Sequence, residues 1–78
     1  MNPRVVKVKP LPDHQLDVTF ENEERRIFDV SPYLNKGIFT ELKDESYFKS
    51  VRVAFGSIEW PNEQDFSKDT LYLLGRQI

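Results

Sequence analysis

Seventy-eight residues with 11 Lys and Arg against 13 Asp and Glu make a chain of net charge −2, too short for two ordinary domains. Residues 1–78 are therefore expected to form a single domain with one core. With no cysteine and one histidine, neither a disulfide framework nor a zinc site is available, and the acidic balance is not the basic footprint of a nucleic-acid binder.

Stability then rests on apolar burial. Six Phe, three Tyr and one Trp supply most of it, each able to bury roughly 150–250 Å². The N-terminus, MNPRVVKVKP, lacks the apolar run of a secretion signal. No stretch approaches the roughly 20 apolar residues of a membrane span. A cytoplasmic protein without membrane contact is expected.

In chain order, Val5 to Lys9 alternate apolar and basic residues, the period of a half-buried strand with Val6 and Val8 facing the core. Lys7 and Lys9 then line its solvated face. Pro10 and Pro12 are expected to end the ladder, because proline has no N–H to donate. Leu16, Val18 and Phe20 share one face of the next strand, and Phe28 and Val30 share one face of its return. The connection falls at Asn22-Glu23. Asn tolerates positive φ and Glu does so poorly, so a loop longer than two residues is expected.

The period then changes. Ser31-Pro32 reads as a helix start capped by Ser31, and Gly37 as its stop. Ile38, Phe39 and Leu42 continue an apolar patch at helical spacing. Asp44 is placed to cap a further turn carrying Tyr47 and Phe48. A second hairpin follows, with Val51, Val53 and Phe55 alternating, a tight turn at Gly56-Ser57, and Ile58 and Trp60 returning. Ser67 or Asp69 caps a final helix through Leu71, Tyr72 and Leu74, ended by Gly75. The order is β-β-β-α-β-β-α. This predicts an α+β fold with a small, mostly antiparallel sheet of about five strands and short helices on one face.

The chain offers little for catalysis. A nucleophilic triad needs an imidazole, and His14, the one histidine, sits in what reads as a solvent-facing turn. The three glycines are far apart, so there is no phosphate cradle. No cofactor, metal or enzymatic activity is expected. Trp60 fits the core by its alternation with Ile58, or else an anchor beside a sheet edge. Asp65, just past Trp60-Pro61-Asn62, reads as an Asx turn holding the loop, or as a functional carboxylate. Trp60, Asn62, Asp65 and Tyr72 are the candidate partner-binding residues.

Several segments also form an ordered series. They are Val8-Lys9-Pro10-Leu11-Pro12-Asp13, Leu16-x-Val18-x-Phe20-x-Asn22, and Phe28-Asp29-Val30-x-Pro32-Tyr33-Leu34 with Gly37-x-Phe39 and Leu42. Phe48-x-x-Val51-x-Val53, Ile58-x-Trp60-Pro61-Asn62, Asp65 and Asp69-x-Leu71-Tyr72 complete it. The series resembles the bacterial domain-of-unknown-function family 2442 over nearly the full length. That resemblance implies a compact α+β domain and no established activity. The family commonly has Gly where Glu23 and Glu63 stand here, which puts tight-turn geometry at both loops in question.

Genes of the family often lie beside those of small toxin-like proteins, so the resemblance also implies an antitoxin-like role. Some longer members also carry a helix-turn-helix segment. This chain ends at Ile78 without one, and direct contact with nucleic acid is not expected. Three roles stay open: a non-catalytic protein-interaction module meeting a small basic protein, a self-associating structural domain, and a ligand binder or enzyme using the Trp60–Asp65 loop.

Overall fold

A computed structural model describes residues 2–78. The fold is α+β, and its described strands form two antiparallel sheets. The larger, sheet A, has the order β1-β2-β3-β7, with β1 at Val5–Leu11, β2 at Gln15–Phe20, β3 at Arg25–Asp29 and β7 at Arg76–Gln77. Sheet B has the order β4-β5-β6, with β4 at Arg52–Ala54, β5 at Ser57–Glu59 and β6 at Asp65–Phe66. Two α-helices, α1 at Glu45–Phe48 and α2 at Lys68–Leu74, and three 3-10 segments fill the connections.

The β2–β3 hairpin carries the core of sheet A, as its alternation predicts. Leu16, Val18, Phe20, Phe28 and Val30 are all buried. Burial of such side chains contributes about 1.5–3 kcal/mol each. From sheet B, Ile58, Trp60 and Phe66 join the same cluster, together with Leu42, Phe48 and Leu71 from the helical segments. Phe66 is the hub of the aromatic packing: its ring lies 4.9 Å from Phe28, 5.0 Å from Tyr33 and 5.1 Å from Phe39.

The first strand differs from expectation in two ways. Its register slips between Val5 and Lys7, so that Val5 is buried and Val6 is 55% exposed. The inserted residue is the cause, because a bulge breaks the alternation of faces. Pro10 does not end the strand but pairs with Leu16, and the ladder runs on to Leu11. It is tolerated because β1 is an edge strand of sheet A.

The loops explain the next differences. Asp29 Oδ1, not Ser31, accepts at the start of the Ser31–Tyr33 turn, from the Ser31 N–H at 2.9 Å. Gly37, at φ +50°, opens the 3-10 segment Gly37–Lys43 and so begins a helix where a stop was expected. Ile38 is exposed, whereas Phe39 packs on the core and Leu42 is buried within it. Asp44 caps α1 as anticipated, accepting from Ser46 N and Tyr47 N at 2.9 and 3.4 Å. Ser67 caps α2 through Thr70 N at 3.2 Å.

β6 and β7 are each two residues long, too short to show a period, and neither is foreseen from the sequence. Gly75 joins α2 to β7 with its N–H donating to Leu71 O at 3.0 Å. No helix among the described residues is long and apolar enough to cross a membrane.

Candidate functional site

Two of the connecting loops are built alike. In Phe20–Glu24, Phe20 N donates to Glu24 O and Glu23 N to Phe20 O, both at 2.9 Å. In Trp60–Gln64, Trp60 N donates to Gln64 O at 2.9 Å and Glu63 N to Trp60 O at 3.1 Å. Each is a three-residue loop whose last residue takes left-handed backbone, Glu23 at φ 71° and Glu63 at φ 75°. The glycine geometry is therefore kept at both loops without the glycine.

The Trp60–Asp65 loop is held by side chains from below. Tyr47 Oη donates to Gln64 Oε1 at 2.7 Å and accepts from Asn62 N at 2.8 Å. Gln64 Nε2 donates to Ile38 O and to Glu41 Oε1, both at 2.9 Å. Asn62 Nδ2 donates to Glu41 Oε2 at 2.6 Å. Gln64 is only 1% exposed, and this network gives its buried amide partners.

The four residues singled out from sequence fall in four environments. Trp60 is 1% exposed and donates from Nε1 to Phe48 O at 2.9 Å, so it is a core residue. Asn62 is exposed but serves the loop network. Asp65 is exposed in β6 opposite Glu59, a ladder position and not an Asx turn. Tyr72 lies on α2, its ring 5.2 Å from Phe20 and covered by the Arg26 guanidinium at 3.9 Å. The loop groups Trp60, Asn62 and Asp65; Tyr72 packs on sheet A instead.

His14 differs from the solvent-facing turn expected of it. It is half-buried against the Phe48 ring at 5.0 Å, with Nε2 shielded and unpartnered among the described residues. A cleft of about 360 Å³ lies beside it, lined mainly by Pro10–Asp13, Glu45 and Lys49. His14 and Phe48 also line this cleft, with the His14 Nε2 turned into the protein.

The outlier on the surface is at the β4–β5 turn. Ala54 pairs with Ser57, so the central residues are Phe55 and Gly56, one position earlier than the sequence suggested. Both have positive φ, 52° and 76°, the turn for which Asn-Gly is the favoured pair. Phe55 is 94% exposed. Alternation with Val51 and Val53 had placed it in a strand, and the only sequence signal against that was the Gly following it.

The tip is anchored from behind. Val5 N donates to Gly56 O at 2.9 Å, and a Cβ on Gly56 would come within 2.9 Å of the Arg4 guanidinium carbon. Gly56 is thus favoured by its φ, since the flexible end of the exposed Arg4 side chain can move aside. Behind the tip the outer face of sheet B is acidic. Arg52, Glu59 and Asp65 form one cross-strand row, with Arg52 bonded to Glu59 at 2.6 Å, and Glu63 joins them around a shallow groove.

The model of the protein family of unknown function DUF2442 matches residues 5–77. The chain belongs to this family. No curated protein and no solved structure matches it. In this DUF2442 chain the match spans both sheets, both glutamate loops and the Phe55 tip.

Proposed function

We propose that this DUF2442 chain is a non-catalytic protein-interaction module that docks a basic partner protein through the β4–β5 hairpin, with Phe55 as anchor. The observation that carries the reading is Phe55 itself. A phenylalanine at left-handed φ costs about 1–2 kcal/mol, and at 94% exposure it regains nothing from this chain's core. Burying the ring against another molecule removes roughly 150–250 Å² from water and offsets that cost. Anchors of this kind dominate the energetics of small interfaces.

Charge favours the partner's sign. The outer face behind the tip sets Glu59, Glu63 and Asp65 against one guanidinium, Arg52, which speeds encounter with a basic protein. An antitoxin-like pairing with a small basic toxin is the form of this role that the family suggests. The Trp60–Asp65 loop then contributes Asp65 to the rim, while Trp60 and Asn62 hold it in shape.

The test is affinity capture from native extract with the full chain and with its Phe55→Asn variant. One small basic protein at one-to-one stoichiometry, recovered at least tenfold less with the variant and lost as salt rises, is the expected result. Equal recovery by both baits, or recovery of the bait alone as a dimer, contradicts the reading.

A further inference from the structure

The face of sheet A turned away from the core has a charge opposite in sign to the chain. Paired residues of an antiparallel ladder share a face, so the register places Lys9, Asp17, Ile27 and Arg76 in one row and Lys7, Thr19 and Arg25 in the next. A third row, Leu11, Gln15 and Asp29, closes one end. The face holds 4 of the chain's 11 Lys and Arg but 2 of its 13 Asp and Glu.

Both carboxylates are already engaged. Arg25 binds Asp17 through two nitrogens at 2.6 and 3.3 Å, and Asp29 accepts from Ser31 N. Lys7, Lys9 and Arg76 are exposed and form no ion pair among the described residues. Along the strands runs an open trough of about 410 Å³ lined by Lys7, Lys9, Asp17, Thr19 and Arg25.

We infer that this face docks an acidic protein segment in extended conformation. Alternate side chains of an extended segment lie about 6.8 Å apart, the spacing that also separates Lys7 from Lys9 on β1. Carboxylates at two alternate positions meet Lys7 and Lys9 while the segment's other side chains face solvent, and Arg76, at the far end of the Lys9 row, adds to the positive field of the face. The same surface is poorly made for nucleic acid. It has no aromatic ring on which a base could stack, and Asp17 interrupts a phosphate track. A long polyanion would also meet the chain's net charge of −2, which a short segment does not.

The inference is independent of Phe55, and its test separates the two. The ¹⁵N-labelled full chain is titrated with a blocked hexapeptide of alternating Glu and Thr, with its Lys-Thr counterpart, and with an oligothymidylate, at low and at high salt. Saturable shifts at the amides of Lys7, Lys9, Thr19 and Arg25 with the Glu peptide, lost at high salt, are expected. A Lys7→Gln, Lys9→Gln, Arg76→Gln variant with an intact dispersed spectrum should bind about tenfold more weakly. Phe55→Asn should bind as wild type. Shifts elsewhere, no saturable binding at low salt, or tighter binding of the oligothymidylate would overturn it. So would shifts that follow protein concentration in place of peptide concentration, which mark a second copy as the occupant.

Discussion

Glu23 and Glu63 occupy the same place in two loops of the same design, and both stand at left-handed φ. An L-residue other than Asn or Gly is strained there by about 1–2 kcal/mol, partly offset because glycine loses more backbone entropy on folding, about 0.5–1 kcal/mol. Each side chain is exposed. Glu23→Gly and Glu63→Gly should therefore each stabilise the fold by about 0.5–1 kcal/mol, read as a higher urea midpoint at unchanged slope. A lower midpoint in either would mean that the glutamate makes a contact that compensates its backbone. Much of this was legible, since Asn22 and Asn62 mark both turns in the sequence. The backbone's adoption of glycine geometry by glutamate was not, because ladder hydrogen bonds on both sides of each loop impose it.

At the scale of elements, the long hairpin was readable because five and six residues suffice to show a period of two. β6 and β7, at two residues each, show none. Their positions are set by tertiary contacts, Gly75 and α2 in one case and the Gln64 network in the other. That network makes Gln64 the polar keystone between the Gly37–Lys43 segment, α1 and sheet B. Gln64→Leu preserves volume but strands the Tyr47 hydroxyl and Ile38 carbonyl, and should cost about 2–3 kcal/mol in equilibrium denaturation. A loss below about 0.5 kcal/mol would show that solvent satisfies both groups instead.

α2 is tied to sheet A by charge as well as by Leu71 and Tyr72. The Tyr72 hydroxyl, then the Asn22 amide, hold the Glu24 carboxyl below its ordinary 4.5, with Arg26 adding to the effect. The Asn2 amide, then Lys68, hold Asp69 below its ordinary 3.8. With both folded pKa values depressed, the unfolded chain binds more protons in acid. Their contribution is complete above about pH 5 and disappears as pH falls through the folded values. Both groups are solvent-exposed, so the effect is small and screened by salt. Denaturation midpoints measured from pH 7 to pH 3 should fall less steeply in a Glu24→Gln, Asp69→Asn variant than in the wild type. Identical acid slopes would remove these two carboxylates from the account.

For the whole molecule, one cluster of buried aromatic and aliphatic residues from both sheets leaves two surfaces unlike the rest. One is the cationic outer face of sheet A, the other the Phe55 tip in front of an acidic face of sheet B. Composition indicated reliance on aromatic burial, and Trp60, Phe48 and Phe66 fulfil it. It could not reveal that one of six Phe would stand outside the core, because exposure depends on where the turn falls by a single residue. Sequence reasoning read Trp60 as core or else as an anchor, and the fold buries it; for that same reason it passed over Phe55, which the fold displays.

The central claim is that Phe55 is held at the tip for contact with another molecule and contributes nothing to folding. It is tested most directly by the urea midpoint of isolated Phe55→Asn against wild type. Asparagine suits left-handed φ better than phenylalanine, so the account predicts a gain of about 1 kcal/mol with an unchanged slope. A fall in the midpoint would show that the ring stabilises this chain itself, and would contradict the claim.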